Sequence, residues 1–378
     1  MNAIDPRTVI LISGIMGGLM SMVLFFMHRS YPVTIAGLRE WAWSLAILFL
    51  AGVLASLGGV AGPWFANITP NLLISCGMYL AFVGSQRFFG NAVRHAWYLG
   101  PIAVVNLLLL WFTLAQPWYL ARVLILTMLL AYLTGMHAWL VLRQRQPSFS
   151  HWFVAVVLCL ASLNEVVRLV TALTLPVGET VFDRQPQNLL HITLYPFLML
   201  LMAIGMVLLA TDRVRAQMQY LATHDSLTNT LTRRRMSEAC EQELARCRRH
   251  GRSMALLVVD LDHFKTINDT HGHQVGDSVL IRFVDTVNAL LRGGDELGRF
   301  GGEEFVVLLP ETALPEALLV AERIRATCQA DTGMPPYTVS IGVAGYQSDT
   351  DTVDNLLGRA DAAMYRAKAK GRNQVEAA

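Results

Sequence analysis

Charge is scarce in this sequence. Asp, Glu, Lys and Arg supply 15% of 378 residues, against 54% hydrophobic residues and a mean hydropathy of +0.43. Soluble globular chains carry about 25% charged residues, so this one is too apolar to be purely soluble. The net charge is +2, and no basic run is interleaved with aromatics, which excludes a nucleic-acid-binding stripe. Cysteine is also sparse. The five cysteines form no CxxC pair, so neither a disulfide framework nor a zinc site is indicated. Cys76 and Cys159 sit in apolar runs, while Cys240, Cys247 and Cys328 fall in the polar half. Free thiols in a reducing cytosol are the simplest reading.

The apolar residues are concentrated between Thr8 and Ala210. Seven runs, about 8–28, 42–62, 69–89, 97–115, 120–142, 153–175 and 189–210, approach the ~20 residues a helix needs to cross a ~30 Å hydrocarbon layer. The third and sixth carry the most polar residues. The first lacks a basic leader and is too long for the core of a secretory signal. Arg29, Arg39, Arg87, Arg94, Arg143, Arg145, Arg213 and Arg215 follow odd-numbered runs. Only Arg7, Arg122 and Arg184 fall on the other side, the last beside Glu179 and Asp183. Positive-inside bias then puts the N-terminus outside and everything after Ala210 in the cytoplasm. The expected division is 1–210 as a seven-span sensory half in contact with lipid, 211–224 as a helical linker, and 225–378 as a cytoplasmic domain. In the linker, Val214, Met218 and Leu221 have helical spacing. Packing on its own domain and a two-helix stalk between subunits both fit so short a pattern.

In the polar half, Met254 to Val259 is a continuous apolar run that reads as a buried strand, ending in Asp260 and Asp262 on one face. About forty residues on comes Gly301-Gly302-Glu303-Glu304-Phe305. The glycines read as a tight hairpin turn using φ > 0, and alternation sends Glu303 and Glu304 to opposite faces. If the hairpin lies beside the first strand, Asp260 and Glu303 converge at one strand end. Paired carboxylates there suit a hard divalent cation such as Mg²⁺ and metal-assisted phosphoryl chemistry. Glu238–Arg249, Pro315–Cys328 and Asp354–Lys370 read as helices, and Phe305–Leu309 and Tyr337–Ala344 as strands. The expected class is α+β with an antiparallel sheet, following an all-α membrane domain of about seven helices.

These residues resemble the GGDEF family of diguanylate cyclases. Four motifs occur in order: DLDHFKTINDTHGHQVGD from Asp260 to Asp277, Arg292-Gly-Gly-Asp295, GGEEF, and the closing segment Asp361 to Asn373. The resemblance begins near Tyr220. It implies a fold similar to the palm of nucleotidyl cyclases and synthesis of cyclic di-GMP from two GTP. Before these motifs, the family's DxLTG followed by Asn-Arg-Arg is changed: Asn229 stands for the Gly and Thr232 for the Asn. Asn tolerates a left-handed backbone and Thr still caps a helix.

The resemblance also implies site roles. Asp260, Glu303 and the Leu261 carbonyl would hold Mg²⁺, and Glu304 would assist deprotonation of the attacking 3′-hydroxyl. Phe264, Lys265, Lys368 and Arg372 would meet the GTP triphosphate, the last two sharing a face if the closing helix reaches them. Asn268 and Asp277 would read guanine, whose N1–H and N2–H suit a carboxylate. Arg292, Asp295 and Arg323 would bind product at an inhibitory site. Two GTP-loaded domains must meet, so a homodimer is implied. The ordinary alternatives are turn caps for the acids, a solvated basic helix end for Lys368 and Arg372, and a surface turn for Arg292 to Asp295. His271 and His273 lack the further ligands that a transition-metal shell needs.

In the apolar half, Glu165 and Arg168 are spaced to pair on one helix face, as a structural ion pair or as part of a ligand site for an unknown stimulus. His137 reads as a hydrogen-bonded core histidine. A catalytically silent receptor of cyclic di-GMP or GTP is the alternative function, and a transporter regulated by the cytoplasmic domain is a further one.

Overall fold

The computed structural model describes every residue except 1–5, 33, 58–61, 63, 145–147, 179, 181–182, 184 and 349, and only the backbone of Ala66. Arg145, Glu179 and Arg184, which entered the charge asymmetry, lie outside the described residues. The chain forms two compact units, Met1–Ala216 and Gln217–Ala378.

The first unit is helical: α1 (Pro6–Ser30), α2 (Leu38–Ser56), α3 (Thr69–Phe88), α4 (Ala96–Leu114), α5 (Tyr119–Leu142), α6 (Phe149–Thr174) and α7 (Pro186–Thr223). Among the described residues, six of these are long and apolar enough to cross a membrane; α3 falls short. Its lower hydropathy has a physical reason. Ser75, Gly77, Ser85 and Gln86 of α3 are buried, and Ser85 Oγ meets both Trp41 Nε1 at 3.1 Å and His137 Nε2 at 2.6 Å. A helix whose polar groups are satisfied by its neighbours needs fewer apolar side chains than one facing lipid. Large apolar side chains such as Leu107, Trp111, Val156 and Leu173 are exposed on the outside of the unit. His137 is a hydrogen-bonded core residue. The polar segment after Ala210 does not start a new element; α7 continues through it to Thr223.

The second unit contains β1 (Leu231–Thr232), α8 (Arg233–His250), β2 (Met254–Leu261), α9 (Phe264–His271), α10 (His273–Leu290), β3 (Glu296–Arg299), β4 (Glu304–Pro310), α11 (Leu314–Gln329), β5 (Val339–Gly345), α12 (Val353–Ala369) and β6 (Val375–Ala377). The strand order is β1-β3-β4-β2-β5-β6. The four central strands are antiparallel, but β1 runs parallel to β3 and β6 parallel to β5, so the sheet is mixed rather than purely antiparallel. The cause at one edge is α12, a crossover that returns the chain to β6 in the direction of β5.

Strand β2 is buried along its whole length and lies in the sheet's centre. Ala255, Leu257, Val259 and Leu261 pack in one core with Ile267, Phe283 and Ile324, from α9, α10 and α11. Met254, Leu256 and Val258 pack in the opposite core with Leu244 and Leu356, from α8 and α12. Burial on both faces explains why the sequence shows a continuous apolar run there rather than alternation.

Asn229 sits at φ +59°, the left-handed backbone that its replacement of Gly required. Thr232 occupies the cap position of α8 without capping it. Its hydroxyl donates instead to the Ala222 carbonyl at 3.1 Å.

Candidate active site

The register of the central strands builds the site. Asp260, at the end of β2, faces Glu304, the first residue of β4, and the Leu261 amide donates to the Glu303 carbonyl at 3.3 Å. Glu303 therefore lies in the turn before β4 rather than in the strand. Strand alternation, which holds only within a strand, therefore does not apply to the pair Glu303 and Glu304. Gly301 and Gly302 are not among the residues with left-handed φ, so the double glycine does not serve a φ > 0 turn here. At Gly302 a Cβ would meet nothing within 4 Å, leaving the backbone open to close approach.

Asp260 is 3% exposed, and its Oδ2 lies 2.8 Å from Lys368 Nζ on α12. Burial pushes its carboxyl up, Lys368 pulls it back, and Glu304 and Asp262 push it up again. The Glu303 carboxyl is also raised, by burial first and then by Asp260, with Lys368 opposing. Three carboxylates thus repel one another around a single ammonium. Among the described residues no cluster of three or more His, Cys, Asp or Glu is poised around a metal position, His271 and His273 included. What is present is a pair of hard oxygen donors, Asp260 and Glu303, whose mutual repulsion a divalent cation would relieve.

Asp262 does not share this role. Its Oδ1 accepts from Ser340 Oγ at 2.7 Å, and its Oδ2 from Thr338 Oγ1 at 2.8 Å and the Asn373 amide at 3.0 Å. It fastens β2 to β5 and the closing segment.

Phe264 is 5% exposed and packs in the core, so its side chain offers no substrate surface; only the first-turn backbone of α9 does. Lys265 is exposed on α9. Helix α12 stops at Ala369, and Arg372 sits at φ +63° in the turn beyond, so Lys368 and Arg372 do not share a helical face. Asn268 is half-buried on α9 and Asp277 exposed on α10. A Cβ on Gly276 would fall 1.9 Å from Asn268 Oδ1, so this glycine admits the amide.

Arg292 and Asp295 form an ion pair at 3.0 Å in the α10–β3 turn, where Arg292 Nη2 also donates to the Pro310 carbonyl at 2.5 Å and Thr312 Oγ1 at 2.7 Å. Arg323 Nη2, on α11, donates to the Leu290 carbonyl at 2.9 Å. As it stands, Arg292 is a turn-holding residue that is still 60% exposed in its side chain.

Arg299 escaped sequence reading. Its Nη2 donates to the Gly302 carbonyl at 2.6 Å, its Nε to the Gly301 carbonyl at 3.1 Å, and its Nη1 to Asp225 Oδ1 at 3.0 Å. One guanidinium thus shapes the turn that carries Glu303. Its place two residues before the glycines was the signal available.

Residues 222–374 match the model of the family described as "Diguanylate cyclase, GGDEF domain". Diguanylate cyclase DgcM of Escherichia coli (strain K12) is 42% identical over 168 residues, 44% of this chain and 41% of that protein. Response regulator PleD of Caulobacter vibrioides is 41% identical over 175 residues, 44% of this chain and 38% of that protein. The chain therefore spans well under half the length of these curated relatives. A solved structure of the coiled coil and GGDEF domain of DgcB from Caulobacter crescentus, in complex with c-di-GMP, is 30% identical. The match covers 46% of this chain and 97% of that one, with a TM-score of 0.43.

Proposed function

We propose, from the premise that this chain belongs to the GGDEF family through residues 222–374, that it is a membrane-bound diguanylate cyclase condensing two GTP into cyclic di-GMP and two diphosphates. The single observation that carries this reading is the convergence of Asp260, Glu303, Glu304 and Lys368 at the adjoining ends of β2 and β4.

Asp260, the Leu261 carbonyl and Glu303 would hold the divalent cation, for which Mg²⁺ is the proposed identity. When bound, it supplies charge neutralisation at the phosphate oxygens. The chain's own residues do the rest. Lys265, Lys368 and Arg372 hold the triphosphate, and Lys368 is already drawn in by Asp260. The first-turn amides of α9 add donors beside them. Asn268 and Asp277 read the guanine edge, which favours GTP over ATP. Glu304, directly across from Asp260, takes up the proton of the 3′-hydroxyl. That hydroxyl attacks the α-phosphorus of the GTP held by a second copy, so a homodimer completes the reaction. Arg292, Asp295 and Arg323 form a product-binding site that slows the enzyme.

The membrane half, 1–210, is the sensory part, joined by the helical segment 211–224 to the catalytic domain, 225–378. We place the protein in a bacterial inner membrane, with the N-terminus periplasmic and the catalytic unit cytoplasmic. The packing of the helix ends supports this arrangement. Glu40 at the start of α2 pairs with Arg87 at the end of α3 at 2.5 Å, and Ser148 before α6 donates to Asp212 of α7 at 3.0 Å. Both contacts join ends that the arginine asymmetry assigns to one side.

The test is direct. Full-length protein in detergent, given GTP and Mg²⁺, should release cyclic di-GMP and diphosphate. Glu303→Gln should be folded and silent. Product from the variant at the parent's rate would remove Glu303 from the site. Silence of both proteins alongside retained cyclic di-GMP binding would favour the receptor reading.

A further inference from the structure

The first unit holds a partly open cavity of about 560 Å³, lined from α1, α2, α3, α5, α6 and α7. Its walls are mostly apolar, and its ionic groups are Arg7 at the start of α1, Arg122 near the start of α5, and Glu165 and Arg168 in the second half of α6, with His191 near the start of α7. A cavity of this size suits a small organic molecule.

Two of its polar groups are unsatisfied. Glu165 on α6 lines the cavity at 3% exposure, and its Oε2 accepts no hydrogen bond among the described residues. Arg168, one turn further, does not form the expected ion pair with it. Its Nη1 reaches His191 Nε2 at 2.5 Å, and the Asn164 amide lies 2.9 Å from the other ring nitrogen. Arg122 on α5 lies over the Tyr119 ring at 5.3 Å, and its buried Nε has no acceptor among the described residues. The lining thus keeps a carboxylate without a donor and a guanidinium N–H without an acceptor in low-dielectric surroundings, where each is costly.

An occupant must repair both. An apolar molecule repairs neither. A simple anion would suit Arg7, Arg122 and Arg168 but meet Glu165, and a simple cation would suit Glu165 but meet the three arginines. We propose that this cavity binds a small zwitterion of the amino-acid class. Its acidic group is held by Arg122, its ammonium group by Glu165, and its apolar side chain lies against walls that include Leu126 and Ile192. The inference rests on the membrane sensory reading of this unit. It gives α7 a direct contact with the stimulus, because His191, Ile192, Tyr195 and Met199 of that helix line the same cavity.

The experiment uses the full chain in lipid nanodiscs. Thermal unfolding is followed with leucine, methionine, phenylalanine or tryptophan at about 10 mM, a concentration at which even millimolar binding shifts the midpoint. The most effective amino acid is then compared with its deaminated acid and its decarboxylated amine. At least one amino acid should stabilise the protein, and each analogue, missing one charge, should bind at least about tenfold more weakly. Glu165→Gln should leave the empty protein as stable as the parent or more so, since no partner is lost, while removing the preference for amino acid over deaminated acid. Arg122→Gln should remove the preference over the amine. No stabilisation by any of the four, equal binding of an analogue, or loss of stability in empty Glu165→Gln would each overturn the proposal. A chain that purifies without detergent would sink the membrane reading, whichever way the ligand result falls.

Discussion

Asp225 Oδ1 and Arg299 Nη1 lie 3.0 Å apart, and through that pair a residue two positions beyond the end of α7 is tied to the turn that carries Glu303. Asp225 also accepts from the Thr228 amide at 2.9 Å and its hydroxyl at 2.8 Å. The cluster has the form of a brace. The guanidinium holds the Gly301 and Gly302 carbonyls, and the carboxylate holds the guanidinium.

The brace predicts a pH signature. Burial opposes ionisation of Asp225, but the Thr228 donors and Arg299 together hold its carboxyl below the ordinary value. A depressed carboxylate contributes stability that is fully present above the unfolded pKa of about 3.9 and lost as pH falls through the lower folded value. Asp225→Asn should therefore be less stable than the parent at pH 7 by about 1–2 kcal/mol, and the difference should close below about pH 4. Unfolding midpoints measured across that range check it. A difference that persists undiminished in acid would mean that the carboxylate charge is not what the site uses.

Gly276 makes room for Asn268, the proposed guanine reader. With a Cβ placed 1.9 Å from Asn268 Oδ1, Gly276→Ala must displace the amide. Loss of a neutral hydrogen bond of about 1 kcal/mol should raise the KM for GTP about fivefold, with kcat changed less. Steady-state kinetics separate the two constants. A fall confined to kcat would argue that Asn268 does not read guanine.

Arg292→Ala should leave initial rates near those of the parent but let synthesis continue at product levels that stop it. Losing a charge-assisted contact of about 1.5–3 kcal/mol weakens product binding about ten- to a hundredfold. Because Arg292 also holds Pro310 and Thr312, thermal unfolding of the variant must be measured beside the progress curves. Superimposable progress curves would reduce Arg292 to a turn residue.

Topology is testable with two reporters. A reporter after Ala210 should be cytoplasmic and one near Gly178 periplasmic, as the arginine asymmetry requires. Both on one side would mean that α7 does not cross between them, whereas a swap of the two sides would mean that a helix before Gly178, α3 first, does not cross.

The sequence alone determined the division into an apolar helical half and a polar α+β half, because both rest on local pattern. The apolar runs became long helices, six of them among the described residues long and apolar enough to cross a membrane, and the buried run at Met254 became a central strand of the sheet. Asp260 and Glu303 could be named because an apolar run ending in acids and a double glycine followed by acids are short-range signals. Tertiary structure decided what depends on distant partners. Lys368 neutralises Asp260 across more than a hundred residues, and Asp262 is withdrawn from the site by Thr338, Ser340 and Asn373. Phe264 belongs to the core, and Arg372 leaves the face of Lys368 because α12 stops at Ala369. The edge strands became parallel because chain crossovers set their direction, and no local pattern records a crossover. Glu165 was legible as a charge within an apolar run, but that its neighbour Arg168 would turn to His191 and leave Glu165 Oε2 without a donor could be decided only by the packing of α6 against α7.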